Sequence, residues 1–317
     1  MKAILVVIVF LLLGIVPVKA QDFDELLSKG QVAYDSGQYE LAIKYLEPYV
    51  KITSQDTTKD AQENGYFLLS IMADSYAQLG DFKRAVEFCA QALNIQKQLL
   101  GESHPDYATT LNNLALYYDD LGDYTKAVEF GTQALEIDKQ VFDETHPDCA
   151  TTLGNLAVYY SHLGDYSKAV ELCTQAMEIC KHVLGESHPN YASLLNALAR
   201  YYSNLGDYSK AVELGTQAQD IRKRVLGESH PAYATSLNDL ASYYSDLGDD
   251  KKAIELCAQA LEIRKKVFGE SHPAYATSLD NLASYYSDLC DYKKAIELCA
   301  QALEIRKKVF GESHPAY

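Results

Sequence analysis

A chain of 317 residues could make two ordinary globular domains, but 25 Tyr against no Trp points instead to one Tyr-bearing unit copied many times. The formal net charge of −16 repels nucleic acid and anionic lipid, so neither is expected as a partner. The acids are unevenly placed: residues 21–184 hold 26 acidic and 11 basic residues, a net of −15, while residues 185–317 are near neutral, so the acidic half favours a basic partner.

The chain opens with Met1-Lys2, an apolar run from Ala3 to Val16, Pro17 and then Val18-Lys19-Ala20. This is the pattern of a secretory signal peptide over residues 1–20, with cleavage expected after Ala20. The rival is an uncleaved anchor, but the run falls short of the roughly 18 apolar residues a spanning helix needs. Gln21, rather than Cys, argues against a lipid-anchored product. The expected product is exported, periplasmic or extracellular, with no membrane insertion once the leader is removed.

Residues 21–65 are expected to form an N-terminal helical hairpin followed by a longer turn at 51–65, rich in Thr, Asp, Lys and Gln. An array of six units is expected over 66–310, followed over 311–317 by the start of a further, truncated one. From Gly101 the period is strict: His104, His146, His188, His230, His272 and His314 each precede Pro and are 42 residues apart. Such a register implies stacked equivalent units.

In the unit from Gly269 to Phe310, Leu279, Leu282, Ala283 and Tyr286 form the stripe of a first helix, helix A. Pro273 suits its first turn, and Ser271 or His272 can cap it. Ala295, Cys299, Ala302 and Leu303 form the stripe of a second, helix B, whose last turn carries Arg306, Lys307 and Lys308 against the negative end of the helix dipole, with Glu304 paired to Lys308. The sequence Leu-Gly-Asp-Tyr, as at Leu121 to Tyr124, joins the helices, its Gly taking the left-handed conformation that ends a helix. A turn this short makes them antiparallel neighbours. In the last full unit Cys290 replaces that Gly, at a cost of roughly 1 kcal/mol if left-handed. Asp250 replaces the turn Tyr one unit earlier.

Leu114-Ala115, Tyr118, Gly122, Tyr124, Ala127 and Ala134 resemble the tetratricopeptide repeat. The longer period, with Leu-Asn-Asn-Leu-Ala at 111–115, Ala-Leu-Glu-Ile at 134–137 and Leu-Gly-Glu-Ser-His-Pro at 184–189, resembles its kinesin light chain subtype. The likeness is strong over 101–317, weaker over Tyr66–Leu99 and Asp22–Val50. It implies an all-α fold, a right-handed α-solenoid of antiparallel helix pairs wound as a superhelix. Where such repeats carry a bulky residue early in helix B, this chain has only Gly131, Cys173, Gly215, Cys257 or Cys299, and tyrosines such as Tyr117 and Tyr107 are expected to fill the space.

No catalytic constellation, metal set or cofactor motif is found, and the protein is expected not to be an enzyme. Successive His-Pro histidines would stand on the order of 10 Å apart, too far to share a zinc ion that needs nitrogens at about 2 Å. The adjacent acids Asp119-Asp120 and Asp249-Asp250 diverge by about 100° on a helix, and the run around Asp119 lacks the spacing of a calcium loop. Cys89, Cys173, Cys257 and Cys299 share one repeat position and are expected to be small buried hydrophobes; Cys173 and Cys180 stand too far apart for a disulfide.

The resemblance implies that helix A lines a concave face that binds peptide, as kinesin light chains bind cargo. The matching positions are Thr109, Asn112, Asn113, Asn155, Ser193, Asn196, Arg200, Thr235, Asn238, Thr277, Asp280 and Asn281, with His162 on the same face. Amides offer both donor and acceptor to an extended backbone. Those relatives use basic residues for acidic cargo, which this chain largely lacks, so their ligand class is not carried over. The leading expectation is a scaffold for a protein or peptide partner. The alternatives are the sensor region of a longer protein whose effector lies beyond residue 317, and an array associating end to end through Ile296, Cys299 and Leu303.

Overall fold

Three residues between the helices of each pair decide the hairpin. At Leu121-Gly122-Asp123, Gly122 takes φ 78°, and the Asp123 N–H donates back to the Tyr118 carbonyl at 2.9 Å, closing the first helix. The Asp123 carboxylate then accepts the Lys126 N–H at 3.2 Å and caps the second. One residue thus ends one helix and starts the next, and the chain must double back. Asp81, Asp165, Asp207, Asp249 and Asp291 repeat the device.

The other junction is set by His-Pro. His104, His146, His188, His230 and His272 stand in extended conformation as helix caps, each ring Nδ1 accepting the N–H two residues on at 3.1–3.3 Å, with Pro in the first turn. Of the two candidate caps before helix A, His272 is the one used. Cys290 has φ 63°, the one described non-glycine residue in the left-handed region, so the strain expected at that turn is present.

The computed structural model describes residues 20–53 and 59–310. The leader call on residues 1–20, apart from Ala20, and the truncated unit at 311–317 lie outside the described residues. Fourteen helices are seen among the described residues, in consecutive antiparallel pairs. They are α1 (Ala20–Asp35), α2 (Tyr39–Thr53), α3 (Lys59–Gln78), α4 (Phe82–Leu99), α5 (Pro105–Asp120), α6 (Tyr124–Val141), α7 (Pro147–His162), α8 (Tyr166–Leu184), α9 (Pro189–Asn204), α10 (Tyr208–Leu226), α11 (Pro231–Asp246), α12 (Asp250–Phe268), α13 (Pro273–Asp288) and α14 (Tyr292–Phe310). Odd-numbered helices are helix A, even-numbered helix B. The turn expected over 51–65 is shorter than that: residues 51–53 end α2 and 59–65 begin α3, because Gly65, Leu68, Leu69 and Met72 carry a buried stripe back into that polar stretch.

The chain divides into two compact units, Met1–Asp143 and Glu144–Tyr317. The division falls inside the strict 42-residue register. Locally, Asp143 stands where Gly101, Gly185, Gly227 and Gly269 adopt φ 82–85°, and α6 ends on an extended Phe142. The first unit holds α1–α6 and the second α7–α14.

Most pairs bury an equivalent set of residues. α7 and α8 pack side by side, and Leu153, Leu156, Ala157 and Tyr159 of the first and Ala169, Cys173 and Ala176 of the second are all nearly inaccessible to water. The expectation that tyrosines fill space left by small helix-B residues is met by the tyrosine of the next helix A. A methyl group added to Gly215 would meet the Tyr243 ring at 3.1 Å and Leu240 at 3.2 Å. Where Cys takes this place, its thiol points at a carbonyl of the following helix A: Cys89 to Thr110 at 3.5 Å, Cys173 to Leu194 at 3.6 Å and Cys257 to Ser278 at 3.4 Å. Burial pushes all three thiols up to about 12. On α14 the matching face is uncovered, with Ile296 70% exposed and Cys299 and Leu303 also accessible.

Three outcomes follow from this packing. Gly215→Leu overfills the seat of Tyr243 and should destabilise the second unit by about 1–3 kcal/mol in denaturant melts. Cys290→Gly releases the left-handed strain and should raise the thermal midpoint, by roughly 2–4 °C for about 1 kcal/mol. Five of the seven cysteines are buried and two are exposed, so a native thiol titration should show Cys290 and Cys299 reacting fast and the others only on unfolding.

Candidate functional site on the helix-A face

On each helix A from α5 onward the residues opposite the core form a stripe, and Pro at the first helical position organises its start. A hydroxyl four residues after that Pro donates to its carbonyl: Thr109 to Pro105, Ser193 to Pro189, Thr235 to Pro231 and Thr277 to Pro273, at 3.1–3.2 Å. These hydroxyls are exposed with their protons turned inward; Ser193 Oγ also accepts from Arg222 Nη2 at 3.4 Å. Further along, Asn113, His162 and Arg200 are exposed, while Asn112, Asn155 and Asn281 are half-buried.

The next position round the helix behaves differently, and here the expected amide ladder is corrected. Asn238 is buried, 5% exposed, and does not present its amide to a ligand. With its oxygen turned toward the Arg264 guanidinium, it accepts from Nη1 at 2.7 Å and from Ser278 Oγ at 3.0 Å. Asn196 donates to Asp239 Oδ2 at 2.8 Å, and Asp280 pairs with Arg306. These three residues therefore tie neighbouring elements together. They lie one residue, about 100°, from the outward stripe, which aims them at the groove where helix B arrives.

What arrives there is a column the sequence reading passed over. Gln96, Asp138, Cys180, Arg222, Arg264 and Arg306 occupy one helix-B position in successive pairs. Arg306 had been assigned only to the helix dipole; the signal available was that this position changes in kind while its neighbours are copied. In the second unit Arg222 donates to Ser236 Oγ at 2.5 Å, and Arg264 to Ser278 Oγ at 2.8 Å and the Ala274 carbonyl at 3.0 Å. Burial pulls both guanidinium pKa values down; their hydrogen-bond acceptors are neutral oxygens, and the Asp239 charge opposes the shift. Asp239 is pushed up by burial, against the pull of Asn196, Arg222, Arg200 and Arg264. Cross-pair bonds such as Ser203 to Asp246, at 2.8 Å, continue the lacing at the far end of the helices. Bonds to charged groups contribute about 1.5–3 kcal/mol each, so the network fixes how one pair sits on the next.

In the first unit the stripe departs from the repeat. Phe67 stands where Thr109, Thr151, Ser193, Thr235 and Thr277 stand elsewhere, and it is 52% exposed. It borders a groove between α1 and α3, with Leu27 and Leu68 as apolar lining and Ser28, Gln31 and Asn64 at the edge. Sequence reading missed this residue, though its departure from a Thr/Ser position was visible.

The tetratricopeptide repeat family matches residues 67–140, 132–172, 148–224, 205–256 and 234–308. A crystal structure described as a putative kinesin light chain of Podosopora anserina with nearly identical TPR-like repeats is 30% identical, with a TM-score of 0.58 over 65% of this chain and 98% of that one. BtubC (BKLC) of P. vanneervenii shares the fold, with a TM-score of 0.62 at 23% identity over 74% of this chain and 94% of that one. A nucleotide-binding leucine-rich repeat (NLR)-like protein of Hyaloscypha variabilis is 41% identical over 74 residues, 23% of this chain and 7% of that protein, so the chain spans a small part of that relative. The period, the caps and the paired helices agree with these matches: the chain belongs to the tetratricopeptide repeat family, in its kinesin light chain-like form.

Proposed function

We propose that this protein is an exported, non-enzymatic scaffold that holds a polypeptide partner on its helix-A faces. The observation that carries this reading is the division of labour on helix A: the position of Asn196 and Asn238 is consumed in joining helices, while the hydroxyls of Thr109, Ser193, Thr235 and Thr277, with Asn113, stay at the surface. A surface built only for solubility needs no such repeated set of outward acceptors. The apolar leader and the small residue at its end support export; terminal sequencing of the native protein should begin at Gln21.

The test is positional. A photo-crosslinking side chain at Ser242 or Ser284, exposed on helix A, should capture a polypeptide in the native setting; the same group at Lys251 or Lys293, exposed on helix B, should not. Equal capture from both faces, or none from helix A, overturns the reading.

The match to a small part of an NLR-like protein favours a second reading, in which these repeats are the sensor region of a longer chain. The native product would then exceed 35.3 kDa on an immunoblot raised against the repeats. A product of that mass or of the leaderless chain sinks it.

A further inference from the structure

A second property belongs to the first unit alone, and it rests on the helix-A face being the binding face. Phe67 leaves half its surface in water at a position that elsewhere carries a small hydroxyl. The groove it borders measures about 430 Å³, enough for one large apolar side chain, and polar groups rim it. A concave apolar lining with a few polar groups at its edge is the ordinary form of a recognition pocket.

Charge selects the occupant. Among the described side chains of α1, α3 and α5, Lys29 is the sole Lys or Arg, while Asp35, Glu63, Asp74, Asp106, Asp119 and Asp120 are acidic. The acids gather near both ends of these helices. Asp106 and Glu63 act together on the Tyr66 hydroxyl, pushed up first by burial and then by these two carboxylates. Tyr117 is pushed up by burial first, then by the Cys89 thiol, Asp74, Tyr34 and Asp120, and Asp74 also accepts a 2.6 Å hydrogen bond from Tyr34. The described helix-B side chains of this unit are, by contrast, balanced in charge.

We propose that the groove between α1 and α3 seats the apolar anchor of a cationic polypeptide segment, whose Lys and Arg residues lie toward the carboxylates at the helix ends. The anchor supplies the contact that persists in salt; the charges supply orientation and a fast approach.

The chain has no Trp, so a single Trp in a short Lys- and Ala-rich probe peptide reports binding by itself. With the full chain, its emission should shift to the blue, and affinity should fall several-fold between about 0.05 and about 0.5 M salt. Phe67→Thr, which installs the residue of the other pairs, should weaken binding roughly tenfold, as truncating an anchor does. The double variant Glu63→Gln/Asp106→Asn should weaken it at low salt only. A probe with Glu for Lys, or Ala for Trp, should bind poorly.

Equal binding of the acidic probe, or an unchanged affinity in Phe67→Thr, overturns the proposal. So does a dimer that Phe67→Thr dissolves, which would make the occupant a second copy. If the probe fails while crosslinkers at Ser242 and Ser284 still capture a polypeptide, this inference falls and the scaffold reading stands.

Discussion

The contact on which the architecture depends is the seating of a tyrosine from one helix pair against a residue of minimal volume in the pair before it. Helix B offers Gly or Cys at that place, and the following helix A brings up a ring such as Tyr243 or Tyr201, buried to its edge. A lone pair has an open seat and no ring to fill it, so each pair is stable chiefly through its neighbours. The same contact explains the thiols. Cys173 and Cys257 are present for their size and for a weak donor toward a carbonyl, and burial removes their reactivity.

Two kinds of position are superimposed on this frame. Positions that set geometry are copied nearly unchanged: the Leu-Gly-Asp turn, the His-Pro start and the alanines where helices touch. Positions that face outward, or reach the groove between pairs, vary in chemistry. The helix-B column runs from Gln96 through Asp138 and Cys180 to three arginines, and the helix-A stripe from Phe67 to Thr and Ser. A repeated frame with varied outward positions lets electrostatic character change along the chain without disturbing the packing of each pair.

Local chemistry was the legible part of the sequence. Helices, pairing, the capping by His272 and the strained Cys290 all follow from residues within a few positions of one another. The polar stretch at 51–65 was misjudged because composition suggested a turn, while the buried stripe of Gly65, Leu68 and Met72 extends a helix through it. The inner face was read one residue out of phase at Asn196, Asn238 and Asp280. Their neighbours on helix A gave no warning, since what turns them inward is a guanidinium or carboxylate arriving from distant segments, as Arg264 reaches Asn238 and Asp239 reaches Asn196.

The near identity of the pairs formed by α11–α12 and α13–α14 bears on heredity as well as on stability. Both begin with the same Pro-Ala-Tyr-Ala-Thr-Ser-Leu run and end with the same Ile-Arg-Lys-Lys-Val-Phe run, so coding segments for the two can misalign during replication and recombine in frame. The product would gain or lose a whole 42-residue pair, with every new junction a copy of one that already packs. Length is thus a trait this architecture can change in single mutational steps, and populations carrying the gene are a natural place to find chains that differ by whole pairs.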